Sequence, residues 1–177
     1  MNNKYTFSDN DYLSNDGMMT SIWGPPLWHV LHTISFNYPY NPTKEQKKYY
    51  YTFYHNLKNI LPCKYCRDNL KNNLKTLPLT RKVFKNRFTL SKWVYDLHEI
   101  VNKLLNKTSG LSYNDVRERY EHFRSRCLEE PNTVVKETGC VEPLYGIKSK
   151  CILNIVPKTY NNKSFEIDPK CIIKKKN

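Results

Sequence analysis

A chain of 177 residues is long enough for one domain of ordinary size plus a tail. Lys and Arg together number 29 against 16 Asp and Glu, a formal net charge of +13, which predicts attraction to something anionic: nucleic acid, an acidic protein or a phosphate-bearing cofactor. The charge is spread along the chain, with one compact run at Lys174 to Lys176, and no stretch is long and apolar enough to read as a membrane-spanning helix.

The first 20 residues are polar and rich in Asn and Asp, and read as a flexible N-terminal arm. They lack the apolar core of a signal peptide and the Arg-rich look of a transit peptide, so the expectation is a cytoplasmic protein. The folded part is expected from residue 21, at "SIWGPPLWHVLHTISFNYP". Pro25 and Pro26 suit the first turn of a helix, Pro39 ends it, and Leu27, Val30, Leu31 and Ile34 make its apolar stripe. A second helix follows, with Thr43 and Gln46 in capping-box spacing and Pro62 as its stop; Tyr50, Phe53, Tyr54 and Leu57 are its expected buried face. A third, shorter helix begins at Cys63 and Cys66, with Leu70 and Leu74 inward. After a loop around Pro78, Thr89 is read as the cap of a fourth helix faced by Trp93, Leu97, Ile100, Val101, Leu104 and Leu105, with Gly110 after its end. Ser112 and Asp115 open a fifth, with Val116, Tyr120 and Phe123 as its stripe. Consecutive helices with short connections predict an all-α, antiparallel four-helix bundle with a short fifth helix, over residues 21–127. From residue 128 to 177, Pro131, Pro143, Pro157 and Pro169 interrupt a non-helical tail or small β-leaning appendage.

Six cysteines, at 63, 66, 127, 140, 151 and 171, are notable in a chain expected in a reducing compartment, where disulfides tend to be catalytic or redox-sensing. The pair in "LPCKYCRDNL" has three readings: a redox disulfide, half of a zinc site, or two inert thiols. No second two-spaced pair supplies the other half of a zinc site, so no metal is expected. The segment before Cys63 reads as helix, which disfavours a thioredoxin-like strand context. A redox pair at a helix start remains. There, free backbone N–H groups, the helix dipole, Lys64 and Arg67 all stabilise a thiolate.

Three motifs in order then resemble the Erv/ALR sulfhydryl oxidases, over about residues 22–120. "WGPPLWHVLHTISFNYP" is similar to the family's Trp-Gly, Trp, Leu-His, Tyr-Pro opening. "PCKYC" is similar to its Pro-Cys-x-x-Cys site, and "WVYDLHEIVNKLLNK" to its Trp…His-Asn-x-Val-Asn…Leu-x-Lys signature. The likeness is strongest to the branch encoded by large cytoplasmic DNA viruses, mimivirus-like; that would put the protein in a host cytoplasm or viral factory, or in the virion. The resemblance implies FAD as cofactor, held by Gly24, Trp28, His32, His98, Val101, Asn102 and Lys107, with Tyr120 at the place of an aromatic residue near the adenine. It implies Cys63 and Cys66 as the catalytic pair, a homodimer, and electrons passing from protein thiols, or from a redoxin-like relay protein, through the pair to FAD and on to O2, yielding hydrogen peroxide.

Helix spacing supports the resemblance on its own terms. Trp28 and His32 are four apart, as are His98 and Asn102, so each pair shares a helix face. Lys103, Lys107 and Arg117 are candidates for the pyrophosphate. Two departures stand out: Glu99 takes the place of the family's asparagine, and no cysteine lies near Ser112 or Tyr113, where the cellular branches have one. Cys127 is then left to pair with Cys140 or Cys151. Competing readings are a basic nucleic-acid-binding bundle, which would bind DNA in a salt-dependent way without flavin, and a non-catalytic redox or assembly module, which would make no peroxide from a dithiol. The basic residues are not gathered into a stripe interleaved with aromatics, so nucleic acid is not the expected partner.

Overall fold

The computed structural model describes residues 6–126, 139–161 and 163–173. Among the described residues, six α-helices form the framework: α1 Asp9–Tyr12, α2 Thr20–Phe36, α3 Lys44–Ile60, α4 Lys64–Thr76, α5 Arg87–Leu104 and α6 Tyr113–Glu121. The fold is all-α, with α2 against α5, α3 against α4, and α6 bridging α2 and α5. A 3-10 turn at Arg81–Phe84, absent from the sequence reading of the Pro78 loop, packs between α3 and α5.

Local chemistry sets most boundaries. Thr43 and Gln46 form a reciprocal capping box at the start of α3, as do Ser112 and Asp115 at α6. For α5 the cap is Asn86, and Thr89 closes the box from the third helical position rather than acting as the cap itself. The same helix stops at Asn106 (φ +54), ahead of Gly110. Lys107 N–H reaches back to the Asn102 carbonyl at 2.8 Å and Asn106 N–H to that of Lys103 at 3.1 Å, a Schellman closure. Pro25 and Pro26 lie inside α2 rather than in its first turn, because the helix already starts at Thr20.

The core joins Leu31, Tyr54, Leu57, Leu70, Leu90, Trp93, Val94 and Leu97 with Tyr38 and Phe84. Its aromatic polar tips are satisfied by backbone: the Tyr38 hydroxyl donates to Phe84 C=O at 3.0 Å, Tyr54 to Leu31 C=O at 2.9 Å, and the Trp93 indole to Leu77 C=O at 3.3 Å. Five expected core residues are not core. Val30 of α2 is 46% exposed. Phe53 is 37% exposed, since it stands roughly 100° round α3 from the buried Tyr54. Leu104 and Leu105 are each 58% exposed, at the last turn and cap of α5, and Phe123 lies past the end of α6, at 39%.

Beyond the bundle, a two-residue antiparallel ladder pairs Ser125 with Pro143 and Arg126 with Glu142, and a 3-10 turn spans Pro169–Cys171. At the other end, Met18 N–H donates to the Pro62 carbonyl at 2.9 Å and Met18 C=O accepts from the Trp23 indole at 2.9 Å. Gly17 sits so close that a Cβ there would meet Pro62 O at 2.6 Å. The arm is thus strapped onto the loop that leads into Cys63. Gly17→Ala is expected to loosen the strap by about 1 kcal/mol, a roughly five-fold gain in its open population. Chymotryptic cleavage after Tyr12 and Leu13 should accelerate by that factor; an unchanged rate would show that the close approach holds nothing in place.

Candidate active site

Cys63 is the N-cap of α4, and its sulfur accepts the Cys66 backbone N–H at 3.4 Å. The pair therefore sits at the positive end of a 13-residue helix. Arg67 is fixed beside it by donating from Nη1 to the Leu61 carbonyl at 2.5 Å. The side-chain hydrogen bond from Cys66, the N–H groups of Cys66 and Tyr65, and Arg67 hold the Cys63 thiol below its ordinary range. Burial, followed by the hydrogen bond to Cys63 and the charge on Cys63, pushes Cys66 up to about 11. In the dithiol state the negative charge thus belongs on Cys63 and the proton on Cys66. Both cysteines are free thiols here, as are Cys151 and Cys171.

A second constellation lies between α2, α5 and α6. The Trp28 and His98 rings stack at 3.9 Å, 5° from parallel. His32, on the same face of α2 as Trp28, is only 4% exposed, and its Nε2 lies 3.1 Å from His98 Nδ1. Tyr120 stacks on His32 at 5.4 Å and on Phe36 at 5.1 Å. Burial depresses His32 to about 3, helped by the neighbouring imidazoles of His98 and His29, and depresses His98 to about 4, so both rings are neutral at physiological pH. His32 Nδ1 is buried and has no hydrogen-bond partner. Buried polar atoms are rarely left so, which marks the spot as one where a polar group of something else belongs.

Four of the residues singled out in the sequence, Trp28, His32, His98 and Tyr120, are thus brought together. Gly24 lies one turn before Trp28, with open space where a Cβ would project. Val101 and Asn102 are half-buried on α5, and the Asn102 side chain donates to Glu99 Oε1 at 3.0 Å, so Glu99 orients it. Lys107 follows the end of α5 and is exposed, as are Lys103 and Arg117. The strap at Gly17 and Met18 links the Cys63 loop to the start of α2, the helix that carries Gly24 and Trp28.

His29 was missed by the sequence reading: its Nδ1 lies 3.3 Å from the Tyr120 hydroxyl, and its three-residue spacing from His32 was the available signal. Cys140 is disulfide-bonded. Cys151 is not, so it is not the partner expected for Cys127, which itself lies outside the described residues. Among the described residues, no group of three or more His, Cys, Asp or Glu is placed to hold a metal ion.

Known proteins resemble this chain over the region that carries both groups of residues. A protein of Acanthamoeba polyphaga mimivirus named probable FAD-linked sulfhydryl oxidase is 39% identical over 104 residues, covering 59% of this chain and 72% of its own. The FAD-linked sulfhydryl oxidase ERV1 of Arabidopsis thaliana is 32% identical over 84 residues, 48% of this chain; the match spans less than half (42%) of the plant protein. Among solved structures, the FAD-binding domain of Erv1 from Saccharomyces cerevisiae superposes with a TM-score of 0.53 at 26% identity, over 58% of this chain and 94% of that domain. The sequence profile of the Erv1 / Alr family matches residues 25–124, which takes in both cysteines and the whole ring cluster, and the chain belongs to that family.

Proposed function

We propose that this protein is an FAD-dependent thiol oxidase that forms disulfide bonds in protein substrates, with O2 as the final acceptor and hydrogen peroxide as product. The observation that carries the reading is the pairing of two features in one family domain: a polarised Cys63–Cys66 pair at a helix start, and an aromatic wall with an unpaired buried nitrogen at His32.

The wall fits a flavin nucleotide. Its donor set is planar rings for stacking and neutral imidazoles for hydrogen bonds, and His32 Nδ1 still needs a partner. Trp28, His32, His98 and Tyr120 would line the cofactor, with Gly24 leaving room beside them. Val101 and the Glu99-oriented Asn102 would border it, and the exposed cations Lys107, Lys103 and Arg117 would be available to offset the pyrophosphate charge. FAD supplies a two-electron acceptor that O2 can reoxidise.

The chain's own residues account for the thiol chemistry. With the pair oxidised, a substrate thiolate attacks Cys63 Sγ, the Sγ–Sγ bond breaks, and Cys66 leaves as thiolate. In that state Cys63 carries neither free charge nor proton, so two of the causes that raise Cys66 are gone and Arg67 still favours its anion. A second substrate thiolate then attacks the substrate sulfur of the mixed disulfide. The substrate disulfide forms, Cys63 leaves, and the Cys66 N–H and Arg67 stabilise it. The substrate has lost two electrons and the pair holds them.

The partners in this reading are thiol-bearing proteins or a redoxin-like relay, and a second copy of the chain. Large apolar side chains left uncovered, such as Val30, Phe53 and Leu104, support self-association. The host cytoplasm is the proposed site of action, in keeping with the mimivirus relative. The test is the visible spectrum of the purified protein during anaerobic addition of dithiothreitol. A flavin band that bleaches with about one equivalent of dithiol and returns with air is the expected result. A protein that stays colourless after incubation with FAD would overturn the reading.

A further inference from the structure

The family match ends at residue 124, yet the tail beyond it reaches the candidate cofactor wall. The Phe165 ring lies 4.9 Å from that of His29 and meets Phe123 edge-on at 6.3 Å. His29 in turn stacks on Tyr120 at 5.6 Å and bonds to its hydroxyl. Tyr120 stacks on His32, His32 bonds to His98, and His98 stacks on Trp28. The row of rings from the tail to Trp28 is unbroken.

Phe165 is held there by the rest of the tail. Ile173 N–H donates to His122 Nδ1 at 3.1 Å, just past α6, and Leu144 N–H donates to the Arg124 carbonyl at 2.7 Å. The two tail segments also touch: a Cβ on Gly146 would meet Ile173 Cγ1 at 3.2 Å. Phe165 and Ile167 are half-buried in a stretch whose other described residues from 163 to 170 are exposed, which singles out two inward side chains. Burial also keeps His29 below the ordinary histidine range, so a neutral ring faces Phe165.

We propose that Phe165 is a positioning residue for the cofactor: it presses His29 against Tyr120 and so fixes the wall on which FAD would lie. The inference rests on the flavin reading above. A tail that merely covers apolar surface would add stability and leave the cofactor's residence time alone. A tail that orders the wall sets how long the cofactor stays, because loosening a bound site acts mainly on the release rate.

The experiment follows FAD release from the full-length, flavin-loaded protein by the rise in flavin fluorescence. Phe165→Ala is expected to speed release about five-fold, the scale of one lost ring contact. Phe165→Tyr, which keeps the ring, should restore release to near the parent rate. In the double variant His29→Ala/Phe165→Ala, release should match His29→Ala alone, since both act through the same contact. Release from Phe165→Ala equal to that of the parent overturns the proposal, even if the melting temperature falls, as does a double variant in which the two effects multiply. If the parent chain takes up no FAD, the functional reading falls and this proposal with it, an outcome distinct from loading that ignores Phe165.

Discussion

Cys66→Ser is expected to retain bound FAD and lose thiol oxidation by on the order of 10³-fold or more. The serine is nearly isosteric, and Cys66 contributes none of the rings of the wall, so flavin binding should be spared. Its hydroxyl cannot form the disulfide that a substrate thiolate must attack, and it cannot take the electron pair when that bond breaks. Cys63→Ser should be equally inactive, for the other half of the same reason: it removes the sulfur that the helix N-terminus and the Cys66 N–H polarise. Oxygen consumption with dithiothreitol, set against the flavin absorbance of the same sample, checks both. Full turnover in a flavin-loaded Cys66→Ser protein would move the reaction away from this pair.

The capping boxes at Thr43 and Ser112 could be read from sequence because each closes within three residues of its own chain. The start of α2 could not. Pro25 and Pro26 look like first-turn prolines, but Met18, hydrogen-bonded to both Pro62 and Trp23, anchors the chain ahead of Thr20 and lets the helix begin earlier. Likewise Leu104 and Leu105 continue the apolar period of α5 right up to a Schellman closure at Asn106, and periodicity alone says nothing about where covering neighbours end. Helical spacing placed Trp28 with His32, and the structure joins them to His98 and Tyr120 in one cluster. Contacts between distant segments had no such signal. Phe165 on His29 and Gly17 on Pro62 depend on where aperiodic segments return, which no local pattern encodes.

The flavin-free protein is expected to lose about 3 kcal/mol of stability between pH 6.5 and 5, from the two buried histidines alone. His32 at about 3 and His98 at about 4 lie well below the ordinary 6.5, chiefly through burial. Between those values and 6.5 the unfolded chain takes up protons that the folded chain refuses. Acid therefore favours unfolding, and stability rises with pH across that window and levels off above it. The geometry gives the same sign. His32 Nε2 and His98 Nδ1 face each other at 3.1 Å and share a single proton; a proton on each would oppose two donors in an apolar wall. Urea denaturation at a series of pH values measures the slope, and His98→Asn should remove about half of it over the same range. Carboxylates respond mostly at lower pH, and His29, held below its ordinary range by burial, adds to the slope with the same sign. A flat profile there would mean that both rings become imidazolium in the folded protein as readily as in the unfolded chain. The wall would then present a cation rather than neutral donors, which changes what part of a flavin His32 could bind.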